Sequence, residues 1–193
     1  MATRTDWLDA GLDVLAAHGH PALIEDRVAM RLGVDPKEGS FCEHFGDEAG
    51  FHEALLTHAE ACYTNAYITR ADPSGPGEDS GLTPQDRLGR LADAVLSDGA
   101  RPDLEVAMRS WARHHAAAGV MQERIDRRRV DYVRGLIAEA TGDLEHAERL
   151  ARLMYLVLVG ARQVVPSASN SELREYFGLA MAAIRAGDAP QPS

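Results

Sequence analysis

The sequence predicts an all-α protein of about nine helices, with an N-terminal three-helix helix-turn-helix segment followed by a larger helical bundle. Three observations predict it. Apolar residues recur three and four apart along most of the chain, no segment reads as a strand of alternating polarity, and the apolar runs are bounded by capping and glycine signals. The 193 residues, 45% hydrophobic and 26% charged, are ordinary for a globular protein long enough to bury a sizeable core.

Trp7, Leu8, Leu12 and Leu15 form one apolar stripe, with Asp9 and Asp13 on the other side, and His18-Gly19 ends this first helix. A short second helix is expected from about Ile24 to Leu32, with Val28, Ala29 and Leu32 facing inward and Gly33-Val34 as a tight exit. Asp35-Pro36 reads as an N-cap and first-turn proline, which starts a third helix running to about Phe45. Two short helices joined through a glycine turn are the parts of a helix-turn-helix.

A long helix is expected from about Glu48 to Arg70, with Phe51, Leu55, Ala59, Cys62 and Ala66 on one stripe. Ala71 to Gly81 lacks periodicity and reads as a linker loop. Thr83-Pro84 restarts helix, with Leu88, Leu91, Ala92 and Leu96 as its inner face and Asp98-Gly99 as its end. Further helices are expected over 102–118, 121–140, 143–164 and 171–186. The expected division is residues 1–47 for the helix-turn-helix domain and 48–193 for the larger helical domain.

Composition narrows the function classes. The longest strongly apolar run, Leu153 to Val159, is far short of the roughly 20 residues a membrane-spanning helix needs. With no apolar signal core near Met1, a cytoplasmic location is expected. Cys42 and Cys62 have neither a metal-binding nor a redox spacing, and adjacent His114 and His115 point about 100° apart on a helix, so no metal site and no cofactor are expected. No nucleophile elbow, phosphate-binding loop or paired catalytic carboxylates are present, and an enzyme is not expected. The formal net charge is -10, and residues 1 to 50 hold four basic against ten acidic side chains, the wrong sign for phosphate unless the bases share a face.

The block from Ala10 to Leu56 carries Leu12-xx-Leu15-Ala16-xx-Gly19, then Ala22-Leu23-xxx-Arg27-Val28-Ala29-xx-Leu32-Gly33-Val34, then Gly39-Ser40-Phe41-xx-His44-Phe45 and Ala54-Leu55-Leu56. In this pattern it resembles the DNA-binding domain of tetracycline-repressor-like (TetR-family) transcriptional regulators. Met108-Arg109-Ser110-Trp111-Ala112 and Ile125-Asp126-xx-Arg129 extend the resemblance more loosely over the rest of the chain. Four features depart from the family pattern: Ile24 where a Thr or Ser is usual, Cys42 where a Tyr is common, Glu48 where a Lys is expected, and four residues between Val34 and Gly39 instead of two.

The resemblance implies a ligand-responsive DNA-binding regulator, a repressor acting as a homodimer on a pseudo-palindromic operator in double-stranded DNA, with residues 1–47 as its DNA-binding domain and 48–193 as a helical-bundle ligand-binding and dimerisation domain. The alternative is a protein of the same fold whose acidic head binds a small molecule or a protein partner but not DNA. For DNA contact the candidates are Arg27, Arg31, Lys37, Ser40 and His44; the arginines could instead neutralise Glu25 and Asp26, and His44 could be a packed or capping residue. For an unidentified small-molecule effector the candidates are Met108, Trp111, His115, Tyr132 and Tyr155, with plain core packing as the other reading. For the dimer interface they are Leu150, Leu153, Met154, Val157, Leu173, Phe177, Met181 and Ile184, with internal packing as the alternative.

Overall fold

In a computed structural model of the chain, residues 2–35, 41–73, 81–97 and 101–187 are described, without the side chains of Met181 and residues 183–187. The described residues form ten α-helices and no strand: α1 (Arg4–His18), α2 (Glu25–Leu32), α3 (Phe41–Phe45), α4 (Glu48–Glu60), α5 (Ala66–Ala71), α6 (Pro84–Val95), α7 (Pro102–Ala112), α8 (Ala116–Thr141), α9 (Leu144–Gln163) and α10 (Asn170–Gly187). A π-helical turn, Ala61–Asn65, joins α4 to α5, so the expected helix from Glu48 to Arg70 is one run of helical backbone with an irregular turn inside it.

The local signals act where the sequence puts them. Thr3 with Asp6 and Thr83 with Asp86 form capping boxes, while Asp47 and Asp143 cap α4 and α9. Gly33 ends α2 in the left-handed conformation, at φ 78°, with its N–H donating back to Ala29. Residues 36–40, on which the start of the third helix was expected, lie outside the described residues, as do most of the 71–81 linker and Asp98-Gly99.

Two expectations are corrected. The gap after α7 falls at Arg113–His115, and α8 begins at Ala116, so Gly119 lies inside a helix where a boundary was expected. The missing side chain has a use there, because a Cβ on Gly119 would stand 3.1 Å from the carbonyl oxygen of Ala112. The second concerns the α4 stripe: Phe51, Leu55 and Ala59 are buried, but Thr64 is buried next and Cys62 is exposed. A π turn adds a residue, so the inward position after Ala59 comes five residues on instead of three.

Two compact units divide the chain: Met1–Thr64 with Arg101–Ile125, and Asn65–Ala100 with Asp126–Ser193. In the first, Trp7, Leu12 and Leu15 of α1, Val28 of α2, Phe41 of α3 and Phe51 and Leu55 of α4 share one core with Leu104, Met108 and Trp111 of α7. In the second, Leu136 and Ile137 of α8 pack with Ala147, Leu150 and Ala151 of α9, and Leu96 packs with Leu173 and Phe177 of α10. The expected division at residue 47 follows role, whereas the packing places α7 in the same unit as the helix-turn-helix segment.

At the α3–α4 corner of the first unit two stretches of backbone approach closely. A Cβ on Gly50 would lie 2.2 Å from the carbonyl oxygen of Phe45, a backbone atom that cannot step aside alone. Gly50→Ala is therefore expected to destabilise the protein by about 1–3 kcal/mol in urea unfolding, the usual cost of overpacking, and an unchanged midpoint would refute the close approach.

Candidate functional site

The surface of the helix-turn-helix segment is built from α2 and α3. Val28 and Ala29 turn α2 inward, which leaves Arg27, Met30 and Arg31 exposed on the other side. Ile24 is the N-cap of α2 and offers no side-chain cap, so the α2 N-terminus lacks the hydroxyl that the resemblance leads one to expect. Phe41 anchors α3: its ring lies 5.3 Å from Trp7 and 5.2 Å from both Phe45 and Phe51. Cys42 and Glu43 are exposed, and His44 is half-buried with Nε2 3.3 Å from the carbonyl oxygen of Ala2. Lys37 and Ser40 lie outside the described residues.

The acidic side chains of this segment are partly spent within it. Asp6 and Asp47 cap helices, and Thr3 holds the Asp6 carboxyl below the usual carboxylate range. Asp9 lies 2.7 Å from Nε2 of His58. Asp13 accepts from Arg31 at 2.6 Å and from Arg101 at 2.8 Å. Of the candidate arginines, Arg31 thus has a carboxylate partner, while Arg27 has none among the described residues.

The second unit contains an almost wholly apolar cavity of about 60 Å³. It is lined from α6 by Leu88, Leu91, Ala92 and Val95, from α8 by Val133, from α9 by Met154, Tyr155 and Leu158, and from α10 by Phe177. Tyr155 is the one candidate effector residue on this lining, and its hydroxyl donates to Asp126 Oδ1 at 2.7 Å. Tyr132 belongs instead to a polar cluster, where Arg87 bridges buried Asp72 at 3.3 Å and Glu139 at 2.6 Å. Burial, and then the Asp72 charge, push the Tyr132 phenol up, with Arg87 acting in the opposite sense.

Helices α9 and α10 carry the expected dimer residues, which differ in exposure. Leu150, Leu173 and Phe177 are buried within the unit, Met154 and Val157 are half-buried, and Leu153 is exposed. The side chains of Met181 and Ile184 are not described. Leu156 at 56%, Tyr176 at 43% and Leu179 at 72% join Leu153 as large exposed apolar residues. Sequence reasoning missed these three, although the 153–156 and 176–179 spacings place each pair on one helix face.

No family model and no curated protein sequence matches the chain. Solved structures do. A Rhodococcus sp. protein described as a TetR-family transcriptional regulator matches with a TM-score of 0.73 and 24% identity, over 94% of this chain and 97% of that one. A transcriptional regulator from Rhodococcus sp. Rha1 matches at 0.73 and 18% identity, over 98% and 100%. One from Pseudomonas aeruginosa PAO1 matches at 0.65 and 16% identity, over 95% and 92%. The chain has the fold of these regulators. The TetR-like fold includes the helix-turn-helix segment, and no described helix is long and apolar enough to cross a membrane.

Met108, Trp111 and His115, the other candidate effector residues, lie in the first unit, where Met108 and Trp111 belong to the core. The Trp111 ring stacks on His20 at 4.7 Å, and His52 and His115 stand 5.6 and 5.7 Å from Trp111. Three histidines thus surround one indole. Burial holds the His20 imidazole below its ordinary value of 6.5, and the His52 and His115 charges act in the same direction. The folded state therefore favours neutral His20, and its contribution to stability is complete above pH 6.5 and lost as the pH falls from there through the lower folded value. Urea unfolding between pH 7.5 and 5.5 is expected to show a steeper loss in the native protein than in His20→Phe, which keeps a ring but cannot titrate. Equal slopes would contradict this role for His20.

Proposed function

We propose that the protein is a DNA-binding transcriptional regulator, a repressor that acts as a homodimer on a pseudo-palindromic operator and is released by a small-molecule effector. The observation that carries this reading is the match of fold with such regulators over nearly the whole chain, helix-turn-helix segment included. A third helix in the major groove can distinguish base edges, while neighbouring cations hold phosphate and fix the register. Arg27 and Arg31, four apart on the exposed side of α2, suit the phosphate role, with Lys37, Ser40 and His44 as further contacts.

A symmetric dimer doubles the contact and sets the half-site spacing. We assign the dimer face to the exposed side of α9 and α10, where Leu153, Leu156, Tyr176 and Leu179 meet water in the single chain. The effector site is assigned to the apolar cavity between α6, α8, α9 and α10, whose lining suits an uncharged, apolar group. Binding there favours release if the effector prefers the DNA-incompetent arrangement.

The second reading, a protein of this fold that does not bind DNA, is favoured by the acidic excess of residues 1–50 and by Ile24 at the α2 N-cap. A gel-shift titration against the DNA upstream of the protein's own coding sequence, at two salt concentrations, separates the two. The regulator reading expects affinity that falls steeply with salt, and Arg27→Ala weakens it several-fold while lowering the salt slope by about one. No binding at low salt would favour the second reading. For the dimer, Leu156→Glu is expected to give a monomer by light scattering at micromolar concentration, since it places a charge in an apolar interface. A variant that stays dimeric would remove the α9–α10 face from the interface.

A further inference from the structure

Asp13 is gripped from two sides within the first unit. Its Oδ2 accepts from Nη2 of Arg31 on α2 at 2.6 Å, and its Oδ1 accepts from Nη1 of Arg101, at the N-cap of α7, at 2.8 Å. The Arg101 side chain also hydrogen-bonds Tyr63 in the π turn. The Arg31 side chain is 58% exposed, against 32% for Asp13 and 28% for Arg101. One carboxylate on α1 therefore joins the exposed face of α2 to the first turn of α7.

We propose that Asp13 competes with DNA phosphate for Arg31, and that Arg101 sets the strength of this competition without touching DNA. The proposal rests on the DNA-binding reading and names a regulator of it. A carboxylate and a phosphate offer the same guanidinium the same kind of charge-assisted hydrogen bond. Arg31 is long and mostly exposed, so it can exchange one anion for the other, while Asp13 stays held on α1 by Arg101. With two cations on it, Asp13 holds each less firmly than it would hold one. When α7 shifts and lifts Arg101 away, the whole carboxylate charge falls to Arg31, and the phosphate loses its cation. Linkage makes the effect reciprocal: DNA that captures Arg31 leaves Asp13 to Arg101 and steadies the start of α7.

The test uses the full chain and fluorescence anisotropy of a labelled mixed-sequence duplex of about 30 base pairs at two low salt concentrations, because phosphate contacts do not depend on sequence. Asp13→Asn is expected to tighten binding by about three- to fivefold, the scale of an exposed ion pair, and to steepen the salt slope. Asp9→Asn on the same helix removes an acid held by His58 instead of an arginine, and should tighten binding less. Arg101→Gln should weaken binding by a similar factor, but have no effect in the Asp13→Asn background. Persistence of the Arg101→Gln effect in that background marks a long-range charge effect and overturns the proposal, as does an Asp13→Asn gain no larger than that of Asp9→Asn.

Thermal melting checks that each variant is folded. If Asp13→Asn is not, the cycle of Arg31→Gln with Arg101→Gln reads the same coupling with Asp13 intact: Arg101→Gln must then lose its effect once Arg31 is gone. Failure of the two readings is distinguishable. Binding by every variant without coupling removes this proposal alone, and no binding by either the native protein or Asp13→Asn removes the DNA-binding reading with it.

Discussion

The first unit depends on one packing arrangement, in which Leu104, Met108 and Trp111 of α7 complete the core begun by α1 to α4. A helix-turn-helix segment of about 50 residues has too little interior to be secure alone, because the fraction of surface buried falls with size. Its aromatic cluster, with Phe41 touching Trp7, Phe45 and Phe51, fixes α3 against α1 and α4. Trp111 and the histidines around it then close the other side. The face that carries Arg27 and Arg31 is thus coupled to α7 through a shared core. A displacement of α7 cannot leave that core unchanged, since close-packed interiors rearrange between discrete states instead of deforming smoothly.

Charge is deployed on the same principle of local use. A net charge of -10 suggests a surface hostile to polyanions. Yet Asp6, Asp47, Asp86 and Asp143 are consumed as helix caps, where they satisfy backbone N–H groups and favour the positive end of the helix dipole. Asp13 and Glu60 face arginines, and Asp72 is buried against Arg87. These carboxylates keep their charge, but each is held against a local donor or cation. The bases of α2 are reduced by the same pairing, because Arg31 is itself engaged by Asp13.

Signals confined to a few neighbouring residues are legible in the amino-acid sequence alone. The Thr83-Pro84 start and the Gly33 exit each involve one turn of backbone, and each stands where the sequence puts it. Features that need a distant partner are not legible in this way. Gly119 reads as a helix end because nothing in sequence shows the Ala112 carbonyl beside it. The π turn at Ala61–Asn65 shifts the inward position from Cys62 to Thr64, a phase change that regular periodicity cannot express. On α9 and α10, apolar residues serve both the unit's own core and the open face, and a wide stripe does not say which is which. Leu150 and Leu173 turn inward, whereas Leu156 and Leu179, which the stripe does not single out, face out. Met108 and Trp111 read in sequence either as pocket walls or as core, since bulky, adaptable side chains serve both, and in the structure both stand in the core of the first unit.

On the proposed reading, a head poor in free cations is an advantage for a regulator that must be released. Affinity drawn mainly from phosphates is shared by every stretch of duplex, so a strongly basic head is held by the bulk of the genome as well as by its operator. Restricting the free cations of α2 lowers that background and leaves discrimination to base contacts and to the spacing of two heads in a dimer. It also lowers the differential affinity an effector needs, because a ligand can shift an equilibrium only by the amount it prefers one state over the other. A small apolar cavity offers only modest binding energy, which suffices only if the operator complex is itself not too tight. The acidic head and the small cavity then belong to one design, in which weak phosphate attraction matches weak effector leverage.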